Sequence, residues 1–544
     1  MERADFPSLV VKDGPYPTLT AVNLNQFNGT KDDWVLFNSF DELETEAMTV
    51  LKDYFHARAI GPCVSFLPMA DGHGNTYGMS LLKPEDDMCM KWLNAKPANS
   101  VVYVSFGSAA SLSNKQMEEL AEGLRSSGKY FLWVVRAAEQ KTLPKGFVEN
   151  PGEKGLVVTW SPQLKVLANE AIGCFLTHCG WNSTLEAICF GVPMLAIPQW
   201  TDQPTNAKLI QEMWGTGVRA NTGEEGFVRR DEITRCVEEV MDGEKGCQIR
   251  ENAAKWKELA KVAVSDGGSS DNALNEFVAY VNEMAEKQKL FLHSAMAAHV
   301  LVLPFPTQGH INPMLQFAKD LASKGLRVTI VTTSYIKNSI KSQTSTNVSI
   351  ASISDGYDEG GPNSAPNFQT LIQSLEVVGS RTLAELIKKE NQSMNPFTCM
   401  VFDTLMAWGD KVAQSVGLPR IAFSTQSCAI TSIYYHINKG SLDVPKSGAT
   451  VDMFGLPPME RSDFPSIALK DRSYPAVIEF ALNQLNFDKK GLVLLNSFDE
   501  LEMKEKAWPR LTLQLDSNEI VVADTSGWPA GEIQLNVVIH CKSG

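Results

Sequence analysis

Residues 5–44, DFPSLVVKDGPYPTLTAVNLNQFNGTKDDWVLFNSFDELE, recur without a gap as residues 463–502, DFPSIALKDRSYPAVIEFALNQLNFDKKGLVLLNSFDELE, with 22 of 40 positions identical. The offset, 463 minus 5 or 458 residues, is far beyond the period of any solenoid or propeller, about 20–50 residues. The 544-residue chain therefore holds slightly more than one turn of a large unit, entered partway through. Residues 296–310, MAAHVLVLPFPTQGH, fit that account. A methionine, two alanines, an apolar run and a Pro/Gly turn look like the first strand of a protein, yet they stand past the middle. The simplest origin is two tandem copies of a two-domain protein, the back half of one joined to the front half of the next at Met296. The alternative is a mis-spliced or mis-predicted reading of two neighbouring genes. The segment after Trp508, ending GWPAGEIQLNVVIHCKSG, matches nothing that follows Glu44 in the first copy, which keeps that alternative open.

Both halves alternate short apolar runs with helical patterns. In residues 299–505, HVLVLPF, LRVTIVTT, FTCMVFDT and PRIAFST read as buried parallel strands, short, β-branched and bounded by Gly or Pro. INPMLQFAKDLASKG and MAWGDKVAQSVG read as helices that stop at glycine. Residues 99–285 repeat the logic with strands NSVVYVSFGS, YFLWVVR, GLVVTW, IGCFLTH and VPMLAIP, and with helices beginning near Asn114, Gln163, Ser183, Thr205, Arg230 and Lys255. The fold class is α/β, with two doubly wound, Rossmann-like domains. The divisions expected are 1–59 as a partial domain fragment and connector, 60–285 as one domain, 286–298 as linker, 299–505 as the other domain and 506–544 as a divergent tail.

Composition narrows the partners. A net charge of −14 and a pI near 5.2 repel nucleic acid and anionic membrane surfaces at long range. No apolar run reaches the ~18 residues of a membrane span and no basic-apolar leader opens the chain. Ten cysteines are scattered through apolar stretches, as in a reduced, cytoplasmic protein rather than a disulfide framework. A soluble, cytoplasmic protein acting on small molecules is the expectation.

In open α/β sheets ligands bind beyond the carboxyl ends of the strands, so the loops there hold the candidates. The most informative segment is WSPQLKVLANEAIGCFLTHCGWNSTLEAICFGVPMLAIPQWTDQ, residues 160–203. A strand, CFLT, reaches the loop HCGWNS, which opens into a helix. Gly180 lets the backbone come close, and Ser183 or Asn182 can cap the helix or offer a side chain to an anion. The free N–H groups and the positive dipole end then suit a phosphate. His178 adds a donor, Glu186 is placed to accept from sugar hydroxyls, and Trp160 offers a flat face to a planar base. Taken singly, a tryptophan after a strand is ordinarily core and a histidine before a turn ordinarily structural. Cys174, His178 and Cys179 alternate faces along a strand with no second ligand pair, so they do not make a zinc site.

Together these 44 residues closely resemble the nucleotide-sugar signature of plant UDP-dependent glycosyltransferases: WxPQ at the start, HCGWNSxLE within and WTDQ at the end. The resemblance implies a GT-B arrangement of two domains facing a cleft. It implies that Trp160 stacks on uracil, that Gln163 and Glu186 hold the ribose, and that His178, Asn182 and Ser183, with Ser108 of SFGS, hold the phosphates. Trp181, Asp202 and Gln203 resemble the sugar contacts, and a final glutamine resembles members that use UDP-glucose.

In the other half, His310 follows the first strand in PFPTQGHINPM. Glycosyl transfer to an alcohol or acid needs a base near neutral pH, which imidazole supplies. Asp403 ends an apolar strand, where a carboxylate is costly without a partner. It suits either a carboxylate behind the imidazole or a cap for the helix that follows. Both residues resemble the family's catalytic base and its orienter, and Thr425 resembles a residue near the transferred sugar.

The expected function is an inverting, metal-independent glucosyltransferase acting on a small apolar metabolite with a hydroxyl or carboxyl: a phenolic acid, hormone or terpenoid. UDP-glucose is a co-substrate and no resident cofactor is implied. The alternatives are a non-catalytic binder of nucleotide sugars and an inactive fusion product. A dinucleotide oxidoreductase is disfavoured, since no GxGxxG opens a helix after a strand. Residues 5–44 and 463–502 want one place in one sheet, so the surplus copy is either an exposed apolar strand or the basis of a domain-exchanged dimer.

Overall fold

Which copy of the repeat completes the sheet is visible in the computed structural model. It describes residues 33–65, 86–292, 298–339 and 348–465, except 109, 138, 200, 224–225, 367, 394, 439–440, 446–447 and 454, together with 513–514 and 520–521. Residues 1–484 form one compact unit and 485–544 a second. In the second, the described residues are a short antiparallel pair, Leu513–Gln514 with Ile520–Val521.

The first unit contains thirteen strands that build two parallel sheets. They are β1 (Trp34–Phe37), β2 (His56–Ala59), β3 (Val101–Ser105), β4 (Tyr130–Val134), β5 (Gly155–Val158), β6 (Ile172–Thr177), β7 (Met194–Ala196) and β8 (Gly217–Arg219), then β9 (His299–Leu303), β10 (Arg327–Thr333), β11 (Val348–Ile353), β12 (Cys399–Asp403) and β13 (Arg420–Ser424). One sheet runs β5-β4-β3-β6-β7-β8, the other β11-β10-β9-β12-β13-β1-β2. Every pairing in both sheets is parallel. The first has the doubly wound order in which strand order reverses beside the earliest strand, β3, and the second reverses beside β9. Central strands such as HVLVL and IGCFLT are buried along their whole length. Helices cover both faces of each sheet, which is why these runs are continuously apolar.

The seven-stranded sheet is assembled from the two ends of the chain. β1, WVLF of the first repeat copy, lies beside β13 with Val35 opposite Ala422 and Phe37 opposite Ser424. Glu44 then reaches across to the helix Cys428–Asn438. Its carboxylate accepts from the Cys428 and Ala429 N–H groups, both at 3.0 Å, and from the Ser39 hydroxyl at 2.6 Å. Those N–H groups have no partner inside their own helix, so a carboxylate from 384 residues away supplies the anion that this N-terminus favours. Of the later copy, Asp463–Pro465 are described and residues 466–502 lie outside the described residues. The Asp463 carboxylate is paired with Lys208 at 3.1 Å and Arg219 at 2.7 Å on the other sheet's side.

Three local expectations change. The helix expected near Lys255 begins earlier, as Glu244–Val264. The stretch expected to be linker, 286–298, opens inside a helix, Ser269–Leu292, that runs six residues past Glu286. This helix packs back onto the seven-stranded sheet. Phe277 is fully buried, with its ring 5.5 Å from Trp34 and 6.0 Å from Phe317, and Glu276 takes both Arg58 nitrogens at 2.8 Å. Finally, β2, β8 and β11 carry no long apolar run. β2, HARA, buries only its alanines while His56 and Arg58 face Glu276, as suits a sheet edge covered by a helix. No helix among the described residues is long and apolar enough to cross a membrane.

Candidate active site

The loop after β9 enters the helix Gln308–Ser323 directly, so His310 sits in a first helical turn rather than in the preceding loop. Its Nδ1 lies 2.7 Å from Asp403 Oδ2 and 2.9 Å from the Thr425 hydroxyl. Asp403 ends β12 with no exposed surface, and its other oxygen accepts from the Leu405 N–H at 2.9 Å, capping the turn Thr404–Met406. One oxygen thus faces the imidazole, while the other caps this turn rather than the expected helix, Ala407–Ser415, whose N-cap is Met406. A carboxylate only accepts, so Nδ1 carries the proton and Nε2 presents its lone pair. Phe305 packs edge-on to the ring at 5.3 Å. Strands β9, β12 and β13 therefore each deliver one member of a His–Asp–Thr set at their carboxyl ends.

On the six-stranded sheet, β6 ends at Thr177 and the turn HCG leads into the ten-residue helix Trp181–Phe190. The His178 ring is fitted between two glycines. A Cβ on Gly107 would lie 2.8 Å from it, and one on Gly180 would lie 2.7 Å from its Nε2. Burial holds this imidazole down to about 4, so it is neutral near neutral pH. Cys179 has φ +65°, a conformation disfavoured for a side chain with a Cβ. Thr177 Oγ1 accepts its N–H at 3.1 Å and Asn206 Nδ2 donates to its carbonyl at 2.9 Å, which hold it there. Gly180 is the N-cap and no side chain caps the helix. Asn182 and Ser183 are thus inside the first turn, not caps, and the leading N–H groups stay available to an anion.

The remaining signature residues fall into two groups. Gln163 Nε2 donates to Glu186 Oε2 at 2.6 Å and to Ser183 Oγ at 3.1 Å, while the Tyr103 hydroxyl donates to Gln163 Oε1 at 3.0 Å. This joins the two residues expected at a ribose. Trp160 stands half-buried just past β5. Asp202 is buried, accepting from Thr201 Oγ1 at 2.6 Å and Asn206 Nδ2 at 2.7 Å, and burial pushes its carboxyl above the usual range. Gln203 Oε1 accepts from the Gln199 N–H at 2.9 Å. Ser108 is exposed, and its carbonyl accepts from Arg136.

Trp181, expected at the sugar, is buried, and its indole N–H donates to the Asn38 carbonyl at 2.7 Å. Asn182 also faces the other lobe, donating to the Gly309 carbonyl and accepting from Asn38 Nδ2 at 3.2 Å. Sequence reasoning passed over Asn38, Tyr103 and Arg136. The identical run NSFDELE in both repeat copies was the available signal for Asn38. Tyr103 lies within β3 and Arg136 just past the end of β4, with nothing to set them apart.

Residues 41–261 match the family model described as UDP-glucoronosyl and UDP-glucosyl transferase. Residues 296–354 match the model described as glycosyltransferase, N-terminal domain, so in this chain the matching segments stand with the N-terminal-domain match second. Among curated UDP-glycosyltransferase relatives, the chain is 52% identical to UDP-glycosyltransferase 74E2 of Arabidopsis thaliana over 51% of its own length and 61% of the relative's. It is 53% identical to indole-3-acetate beta-glucosyltransferase of Zea mays over 53% and 63%, and 43% identical to mogroside I-E synthase of Siraitia grosvenorii over 52% and 63%. The chain thus spans about three-fifths of the length of these relatives in each alignment. Among solved structures, Os79 from O. sativa in complex with UDP aligns at 43% identity and a TM-score of 0.42, over 46% of this chain and 55% of that one.

Proposed function

We propose that the chain is a UDP-glucose-dependent glucosyltransferase whose two lobes are joined in circularly permuted order. The observation that carries this reading is the Asn182–Gly309 hydrogen bond. It places the uncapped helix N-terminus of one lobe one residue from the His310 imidazole of the other. In the reaction, His310 Nε2 takes the proton of the acceptor hydroxyl, or orients an already ionised carboxylate. The acceptor oxygen forms its bond to the anomeric carbon as the bond from that carbon to the β-phosphate oxygen breaks, with inversion. Asp403 steadies the imidazolium, and UDP departs with its diphosphate on the first turn of Trp181–Phe190. Trp160 takes the uracil face, Gln163 and Glu186 the ribose, and Asp202, Gln203 and Thr425 the glucose. Ser108, His178, Gly180 and Ser183 line the diphosphate. Phosphoester departure here uses helix-terminus and side-chain donors with no resident cofactor.

The acceptor is a small, largely apolar plant metabolite. This draws on the names of the relatives, which include indole-3-acetate and mogroside I-E. Free cysteines, buried at eight of the nine described positions, fit a reducing cytosol. The test is incubation of the full chain with UDP-glucose and indole-3-acetate or a phenolic acid, following UDP release and glucoside by mass. Transfer that His310→Ala lowers about 1,000-fold with unchanged UDP affinity supports the proposal. Tight UDP binding with no turnover on any such acceptor would make the chain a nucleotide-sugar binder.

A further inference from the structure

A closed circuit of hydrogen bonds links the two lobes through a residue that none of the signature motifs contains. Starting at the imidazole, Nδ1 of His310 meets the Thr425 hydroxyl at 2.9 Å. Ser424, the next residue back along the chain, accepts the Asn38 N–H on its carbonyl at 3.0 Å. Asn38 Nδ2 donates to Asn182 Oδ1 at 3.2 Å, and Asn182 Nδ2 donates to the carbonyl of Gly309, which precedes His310. Asn38 also binds the donor helix through its own carbonyl, which takes the Trp181 indole N–H at 2.7 Å. Its side chain is almost wholly buried, and a Cβ on Gly61 would come within 2.6 Å of its Oδ1, so the amide lies where only a glycine can face it.

The direction of the circuit is fixed from both ends. The Cys63 N–H, 2.8 Å from Asn38 Oδ1, can only donate, so the oxygen of that amide must face it. The Gly309 carbonyl can only accept, so the nitrogen of Asn182 must face it. The contact between the two amides is then nitrogen of Asn38 to oxygen of Asn182, with no alternative flip. Asn182 Nδ2 has a second hydrogen to offer a phosphate at the helix N-terminus, and a shift of that amide passes to Gly309 on one side and to Asn38 on the other.

We infer that Asn38 is a positioning residue that couples occupancy of the nucleotide site to the placement of the His310 imidazole. This rests on the reading of the site as a UDP-sugar site with His310 as base. Asn38→Ala opens the circuit. Asn38→Asp keeps the acceptor for Cys63 but sets an oxygen against Asn182 Oδ1, and so reverses the polarity that the two ends demand. Neither changes a group placed against the nucleotide itself, since Asn38 reaches that site only through Asn182 and Trp181.

The experiment pairs calorimetry with imidazole ¹⁵N NMR on full-length protein, the His310 signals being assigned with His310→Ala. In the wild type, UDP binds and shifts the His310 nitrogen resonances. In Asn38→Ala and Asn38→Asp, UDP binds within about threefold of wild type but the His310 shift is lost, and turnover falls about 100-fold, the order expected for a misplaced catalytic group. A thermal melt identifies a variant that has failed to fold, and the other of the two Asn38 variants then carries the test. An undiminished UDP-induced shift at His310 in folded Asn38→Ala overturns the coupling. Absence of UDP binding in the wild type overturns the nucleotide-site reading instead, and the coupling with it.

Discussion

Asp403→Asn is the sharpest perturbation of the proposed chemistry, because the structure dictates how the new amide must sit. The Leu405 N–H donates to Oδ1 at 2.9 Å, so the asparagine oxygen is held there and its NH2 group is turned to His310 Nδ1. Two donors cannot face each other, so the imidazole proton moves to Nε2 and the nitrogen that should receive the acceptor's proton is already occupied. The Thr425 hydroxyl, also 2.9 Å from Nδ1, can donate to the bared nitrogen and stabilise this unreactive tautomer further. Regaining the reactive form means burying two opposed N–H groups where Asp403 has no exposed surface. At about 1–3 kcal/mol for each unpaired buried donor, the barrier rises by about 2–6 kcal/mol, or about 30-fold to 10⁴-fold in kcat. The side chains are isosteric and the nucleotide lobe is not touched, so UDP affinity by calorimetry should stay within about twofold. A kcat within tenfold of wild type, measured as UDP release at saturating UDP-glucose, would refute the assignment of Nδ1 as the protonated nitrogen.

Two further outcomes concern stability. Burial raises Asp320, on the His310 helix, to about 6 from 3.8, so the folded state holds its proton longer than the unfolded chain. The resulting penalty grows as pH rises from 4 through 6 and is complete above that. Asp320→Asn, keeping the Gln316 hydrogen bond at 2.8 Å, should therefore stabilise by about 1–3 kcal/mol at pH 8, with the gain shrinking towards pH 4 in urea unfolding. Glu119 shows the opposite sign: the Arg230 guanidinium, with help from its N–H, holds it down to about 2. Arg230 is 43% exposed, which screens the pair, so Glu119→Gln should cost about 1 kcal/mol at pH 7. That cost should vanish as pH falls from 4.5 towards 2, checked by melts across that range.

What the sequence disclosed follows from which signals are local. Strands such as β9 and β12 are central and buried on both faces, so their continuous apolar runs identify them without any knowledge of neighbours. β2 escaped because an edge strand buried on one side needs only alternate alanines, and its partners His56, Arg58 and Glu276 are far apart in sequence. The HCGWNS turn was legible as a motif, but the caps were not. Asn182 and Ser183 lie inside the helix because Cys179 takes a left-handed conformation, and that strain is set by Thr177 and Asn206, not by composition. His310 and Asp403 were found from chemistry, since a carboxylate ending an apolar strand demands a partner. Asn38 could not be found in that way, as an asparagine in a loop has many uses and its two amide partners come from opposite lobes.

The strand order of the larger sheet has a consequence for synthesis. Val35 and its neighbour Ala422 are 387 residues apart, and the earlier one leaves the ribosome first. At about 5–20 residues per second, WVLF waits some 20–80 s before its parallel neighbour exists, while the six-stranded lobe is already complete. The equilibrium cost of closing so long a loop grows only logarithmically. The delay is the larger burden, and it makes the nascent chain, rather than the finished protein, the species that most needs a chaperone.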